Sequence, residues 1–162
     1  MNPDARNNYY MVWMSFAVAM ILNLLPLPKA LELFWPDWVA MALIYWIVAI
    51  PHRVGILTAW LIGLFIDALE GSVLGLHALS FSIMAYFSLL LYQRIRLFPR
   101  VKQALVVALL IGVQMLLTLW LKNLTQPIER TMSYWLPLMS NAILWPWVFI
   151  LLRDLRRQFR IN

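Results

Sequence analysis

Cysteine is absent from this sequence, which excludes disulfides, thiolate nucleophiles and cysteine-ligated metals. Charge is nearly as scarce. Only 12% of the residues are charged, against the roughly 25% that a soluble domain carries. Acids are the rarer sign, seven against thirteen bases. The two histidines, His52 and His77, are single residues without the three or four spaced ligands of a metal site. Hydrolytic and phosphate-binding motifs are missing too, since no His-Glu-x-x-His, Gly-x-Ser-x-Gly or Gly-x-x-x-x-Gly-Lys occurs. An aspartyl dyad would need a second carboxylate level with Asp67, and Glu70 lies one turn further on. No enzyme, metal or cofactor is expected.

Apolar side chains are what the chain has in excess: 64% of its residues are hydrophobic and its mean hydropathy is +0.77. That leaves too little polar surface to coat a water-soluble globule, so most of the outside must face lipid. Nine Trp and six Tyr agree, because these side chains favour the membrane–water boundary. The net charge of +6 does not point to nucleic acid. The bases sit in short gaps between apolar runs, where topology and anionic lipid account for them.

Six apolar stretches, each about 15–20 residues, approach the length that crosses ~30 Å of hydrocarbon. They cover residues 9–25, 34–50, 54–69, 73–92, 103–121 and 134–152, in a single integral membrane domain over 1–162 with a basic tail from 153. The first run lacks a small-residue cleavage site and ends at Asn23, Pro26 and Pro28, so it reads as a retained helix. Pro51 stops the second run. Pro36-Asp37 suits a helix start, Glu70-Gly71-Ser72 a tight turn, and Pro99 and Pro127 the two longest loops. The second and third runs are short, which calls for a locally thinned bilayer or for shielding by neighbouring helices. No internal repeat is visible. Ten Lys and Arg fall on one side of this alternation and three on the other, so the positive-inside rule puts both termini in the cytoplasm.

Asp67 is the residue that most needs an explanation. A carboxylate in a spanning helix is costly and calls for a partner. Gly63, Asp67, Gly71 and Gly75 recur every four residues, and Gly63 and Asp67 would share a face that a second backbone can approach closely. Three readings of Asp67 stand open: a solvated headgroup-level acid or cap of the next helix, a helix-packing or partner-docking group, and a proton- or ion-coupling group. Asn23, Gln114 and Asn141 read as interhelical glue worth ~0.6–2 kcal/mol each. Pro146, between Trp145 and Trp147, should kink the last helix and free the Ala142 carbonyl, leaving a partner groove or ordinary packing. In the tail, Leu152, Leu155 and Phe159 share a helical face with Arg153, Arg156, Arg157 and Arg160 around it. A helix lying along the inner leaflet is expected there, with cytoplasmic docking as the alternative.

Several segments together resemble the MreD family of rod shape-determining proteins of Gram-negative bacteria. They are Trp35-Pro36-Asp37-Trp38-Val39, Tyr45-Trp46-Ile47, Pro51-His52-Arg53-Val54, Gly63-x-x-x-Asp67-x-x-x-Gly71-Ser72-x-x-Gly75, Gln103-Ala104-Leu105-Val106-Val107 and Asn141-x-x-x-Trp145-Pro146-Trp147. The resemblance implies a non-enzymatic inner-membrane scaffold of the cell-elongation complex. Its partners would be the bitopic protein MreC and, more widely, MreB filaments, RodA and the elongation penicillin-binding transpeptidase. It also implies a six-helix bundle similar to the substrate-binding membrane subunits of vitamin transporters, a likeness of fold that does not carry a ligand. Under it, Gly63, Asp67, Gly71, Gly75, Asn141, Trp145 and Pro146 are docking or helix-packing candidates. Arg94, Arg96, Arg100, Lys102 and the tail arginines are candidates for cytoplasmic or anionic-lipid contact. A small-solute binding or transport subunit is the alternative, and an intramembrane enzyme a distant third.

Overall fold

A computed structural model describes residues 9–28, 31, 33–125 and 132–159, and these are all-helical. Six α-helices follow one another: α1 (Tyr10–Asn23), α2 (Trp38–Ala49), α3 (Ile56–Glu70), α4 (Leu76–Leu97), α5 (Arg100–Thr125) and α6 (Leu136–Gln158), the last entered through a 3-10 turn at Met132–Trp135. Polar caps and glycines set their ends. Asp37 opens α2 by accepting the Ala40 amide at 2.9 Å, satisfying a donor of the first turn. Gly71 closes α3 in the left-handed region (φ +65°), and the Ser72 amide donates back to the Asp67 carbonyl at 3.0 Å. Glycine takes this backbone conformation without a Cβ penalty.

Helices α4, α5 and α6, with 22, 26 and 23 residues, are ~33–39 Å long. By length and composition these three can cross a membrane, whereas α1 and α2 are shorter apolar helices. Paired ends show that successive helices run antiparallel. Asn23 at the end of α1 meets Trp38 at the start of α2, and Asp67 near the end of α3 meets His77 at the start of α4. The described basic residues of the 50s, 90s, 100s and 150s gather at one end, with Asp37, Asp67 and Glu70 at the other.

Helix α2 is the centre of the bundle. Every residue from Val39 to Ala49 is buried, because α1, α4, α5 and α6 all pack around it. A helix that is apolar on all sides needs such an enclosure or lipid. The shielding by neighbouring helices that its shortness called for is present. Helix α3 is one-sided by contrast. Ala59, Ile62, Gly63, Ile66 and Asp67 face inward, mainly onto α4, while Leu57, Trp60, Phe65 and Leu69 point out. The outer surface is an apolar belt, with Leu97 85% and Trp147 74% exposed, larger than water-soluble monomers tolerate.

Two expectations change. The fourth connection is not a basic loop: α4 continues to Leu97 and α5 begins at Arg100, so Arg94, Arg96, Arg100 and Lys102 ride on helix ends. Ile95 is fully buried and holds the extra turn against the core, and basic residues suit a helix C-terminus. The tail does not form a separate helix along the leaflet. It continues α6 to Gln158, because its apolar face, Leu152, Leu155 and Phe159, packs on the bundle. The N-terminal residues before Tyr9, Lys29, Pro127, Arg130 and Arg160 lie outside the described residues.

Candidate functional site: a buried carboxylate clamp

The site begins with a glycine. A Cβ at Gly63 would lie only 2.5 Å from the Ala78 amide nitrogen and 2.7 Å from the His77 carbonyl carbon. The missing side chain therefore lets α3 and α4 touch backbone to backbone, as small residues do in lipid-embedded bundles. One turn later this closeness brings Asp67 to the N-terminus of α4.

Asp67 is completely buried. Its Oδ1 accepts from the Ser72 hydroxyl at 2.8 Å and the His77 amide at 3.0 Å. Its Oδ2 accepts from the Gly75 amide at 2.8 Å and the Ala78 amide at 3.4 Å. The His77 Nδ1 lies 2.8 Å from Oδ1. An ionised carboxylate is acceptor-only, which assigns the ring proton to that nitrogen. Asp67 is thus an N-cap supplied from the preceding helix: it satisfies orphan amides at the start of α4 and sits where that helix's dipole favours negative charge. Gly75 makes the approach possible at φ +99°. The capping reading of Asp67 holds, but solvation does not, because donors of the protein replace water.

The ring of His77 ends the cluster, its Nε2 3.8 Å from the half-exposed Glu70 carboxylate and its edge against Phe81. Beyond it a buried polar line enters the bundle. Ser80 donates to the His77 carbonyl (3.1 Å), Thr118 of α5 donates to Ser80 (3.1 Å), and Gln114 donates to Thr118 (3.3 Å). The arrangement does not suit nucleophilic catalysis. A serine must touch the base and the acid must touch the base's far nitrogen, whereas here Ser72 and His77 both touch the same carboxylate. Among the described residues no group of three or more acidic, His or Cys side chains could hold a metal.

Other candidates lie elsewhere. Asn23 and Asn141 meet at the start of α2: the Trp38 amide donates to Asn23 (3.0 Å), Asn23 donates to Asp37 (3.1 Å), and the Asp37 amide donates to Asn141 (3.0 Å). Asn141 and Trp145, one turn apart, are both fully buried, and Pro146 stands inside α6. At the basic end the cations divide. Arg96 donates to the Val48 and Ala49 carbonyls at 2.7 and 2.8 Å, capping the C-terminus of α2. Arg100 lies over the Phe149 ring at 4.3 Å and Arg53 over Tyr9 at 4.2 Å. Arg94, Lys102 and Arg157 are exposed.

Sequence reasoning did not single out Ser80; it named His77 only as a lone histidine without a metal site and Arg96 only as a cytoplasmic or anionic-lipid contact, not as the cap of α2. For His77 a signal existed: a Gly-Ser-x-x-Gly turn between antiparallel helices brings residues ten apart together.

Three comparisons bear on kinship. The family model described as rod shape-determining protein MreD matches residues 4–155. The rod shape-determining protein MreD of Haemophilus influenzae is 32% identical over 150 residues, covering 91% of each chain. No solved structure matches. The glycine–aspartate hairpin lies within a match that spans nearly the whole sequence, and on that footing the chain belongs to the MreD family of rod shape-determining proteins.

Proposed function

We propose that this protein is a non-enzymatic scaffold of the cell-elongation complex, a six-span inner-membrane protein with both termini in the cytoplasm. It binds MreC and helps couple MreB filaments to peptidoglycan synthesis by RodA and the elongation transpeptidase. The observation that carries this reading is the saturation of Asp67. The described acid buried deepest in the bundle meets five donors of its own chain, so it is spent on shape and not held ready for reaction. Gly63, Asp67, Gly71 and Gly75 then act on partners through the hairpin they hold rigid, and Asn141, Trp145 and Pro146 through the set of α6. Exposed Arg94, Lys102 and Arg157 meet anionic lipid or cytoplasmic partners at the basic end, where each cation near an anionic leaflet gains ~1 kcal/mol.

Depletion in the native cell tests the reading. Cell width followed by microscopy should rise until rods become spheres, and wild-type protein should restore them. Rods of unchanged width after depletion would overturn it.

A further inference from the structure

Helix α1 packs on α2 and α3 packs on α4, but α1 and α3 do not pack on each other. At the basic end of the bundle a cleft of about 200 Å³ opens between them, bordered by the turn that leads from α2 into α3. Its floor is apolar and buried, made of Val12 and Phe16 of α1 with Ile50 and Val54 of the turn. Its rim is amphipathic: Tyr9 and Trp13 at the start of α1, Arg53 in the turn, and Thr58 in the first turn of α3.

Arg53 is exposed and stacked rather than paired. Its guanidinium lies over the Tyr9 ring at 4.2 Å, which engages the face of the fork and leaves the N–H groups at its edge. Among the described residues nothing accepts a hydrogen bond from it, and the Thr58 hydroxyl is likewise uncommitted. No acid lines the cleft and α3 has none in its first turn. Asp37, Asp67 and Glu70 stand at the far end of the bundle, and Asp154, at this end, is held by Arg153.

Size and chemistry choose the occupant. Enclosed small-molecule sites hold ~300–1,000 Å³ and a helix is ~10 Å across, so this smaller cleft admits a headgroup and the top of its tails. An arginine fork with no counter-charge calls for an anion with several acceptor oxygens, which it meets two at a time. The apolar floor calls for hydrocarbon beside that anion. Trp and Tyr at the rim mark the membrane–water boundary, where both are supplied by one molecule.

We propose that the α1–α3 cleft binds one anionic phospholipid of the inner leaflet, its phosphate on Arg53 and Thr58 and its upper acyl carbons on Phe16, Ile50 and Val54. The inference rests on the orientation proposed above. It gives one cleft and one residue pair to what was there a general attraction of exposed bases for anionic lipid.

Titration of phosphatidylglycerol into the full chain in mild detergent, read by native mass spectrometry, tests it, with phosphatidylcholine as the zwitterionic control. One phosphatidylglycerol should bind in preference to phosphatidylcholine, and equal binding of the two overturns the proposal. Arg53→Ala should weaken binding at least about fivefold. Thr58→Phe, which fills the cleft and leaves the charge in place, should do the same. Arg157→Ala removes an exposed base that does not line the cleft and should leave binding within about twofold, because salt screens distant charges. Equal losses from Arg53→Ala and Arg157→Ala, or none from Thr58→Phe, overturn the cleft and leave the scaffold reading standing. Inorganic phosphate at the same concentration should not displace the lipid, and displacement overturns lipid as the ligand. A photo-reactive residue at position 13, in intact membranes, should form a phospholipid adduct; adducts with protein alone overturn the proposal. The orientation has its own check. The chain has no cysteine, so His52→Cys, exposed beside the cleft, should react with an impermeant thiol reagent in inside-out vesicles only. Labelling in intact spheroplasts overturns the orientation, and the leaflet with it, independently of the lipid titration.

Discussion

The α3–α4 hairpin and the α1–α6 pair are opposite solutions to the same problem. In the hairpin the helices are as close as backbones allow, at Gly63, and their shared end is locked by a carboxylate with every oxygen engaged. Between α1 and α6 the helices stand apart along most of their length and are linked only at one end among the described residues, where Asn23 and Asn141 both bond to Asp37. In lipid, apolar surface supplies no drive to close such a gap, since the tails are as apolar as the side chains; packing and hydrogen bonds must do it. The closed region therefore has polar ties and a glycine along the contact, and the open one has a polar tie at one end alone. Polar ties are concentrated at the Asp67 hairpin, and an open apolar trough lies between α1 and α6.

The largest effect should come from closing the hairpin's narrowest point. Gly63→Leu drives a side chain into the backbone of Ala78, and overpacking of this kind costs about 3 kcal/mol or more. Loss of the monodisperse protein in detergent, or a fall of more than ten degrees in its unfolding temperature, is expected. A wild-type melting curve would show that the two helices part easily.

Next is the clamp itself. Asp67→Leu strands the amides of Gly75 and His77 in the interior and should destabilise by about 3 kcal/mol. Asp67→Asn keeps one oxygen as acceptor and should lose about half as much. Chemical unfolding in mixed micelles would rank the three proteins, and equal stability of Leu and Asn variants would show the bonds to be dispensable. Arg96→Ala removes two bonds from the end of α2 and should cost about 1–2 kcal/mol, visible as faster exchange of the Ile50 amide region. The smallest effect belongs to Glu70→Gln. Its partner is 3.8 Å away and the carboxylate is more than a third exposed, so a change within about 0.5 kcal/mol is expected. A larger loss would make the cluster a two-acid device.

Local features of the hairpin were legible in the sequence. The Gly63–Asp67 spacing predicts a shared face with close approach, Gly71-Ser72 a turn, and Pro36-Asp37 a helix start, and each has a short-range cause. What could not be read is long-range. Val39–Ala49 is apolar on every side, and hydropathy does not distinguish a neighbour from a lipid tail, so the central place of α2 is invisible. Arg96 reaches back 47 and 48 residues to its carbonyls, and no spacing rule announces such a pair. Apolar runs also understated α4 and α6, whose basic last turns count as loop by composition yet stay helical because Ile95 and Leu152 are anchored in the core.

Helix α2 is fastened at both ends, by the Asn23–Asp37–Asn141 knot at its start and by the Arg96 guanidinium at its finish. A rod pinned at both tips resists sliding along its axis, since any shift of α2 must break bonds at both of its ends. Helix α2 is thus the fixed axle of the bundle, held at one end by α1 and α6 and at the other by α4.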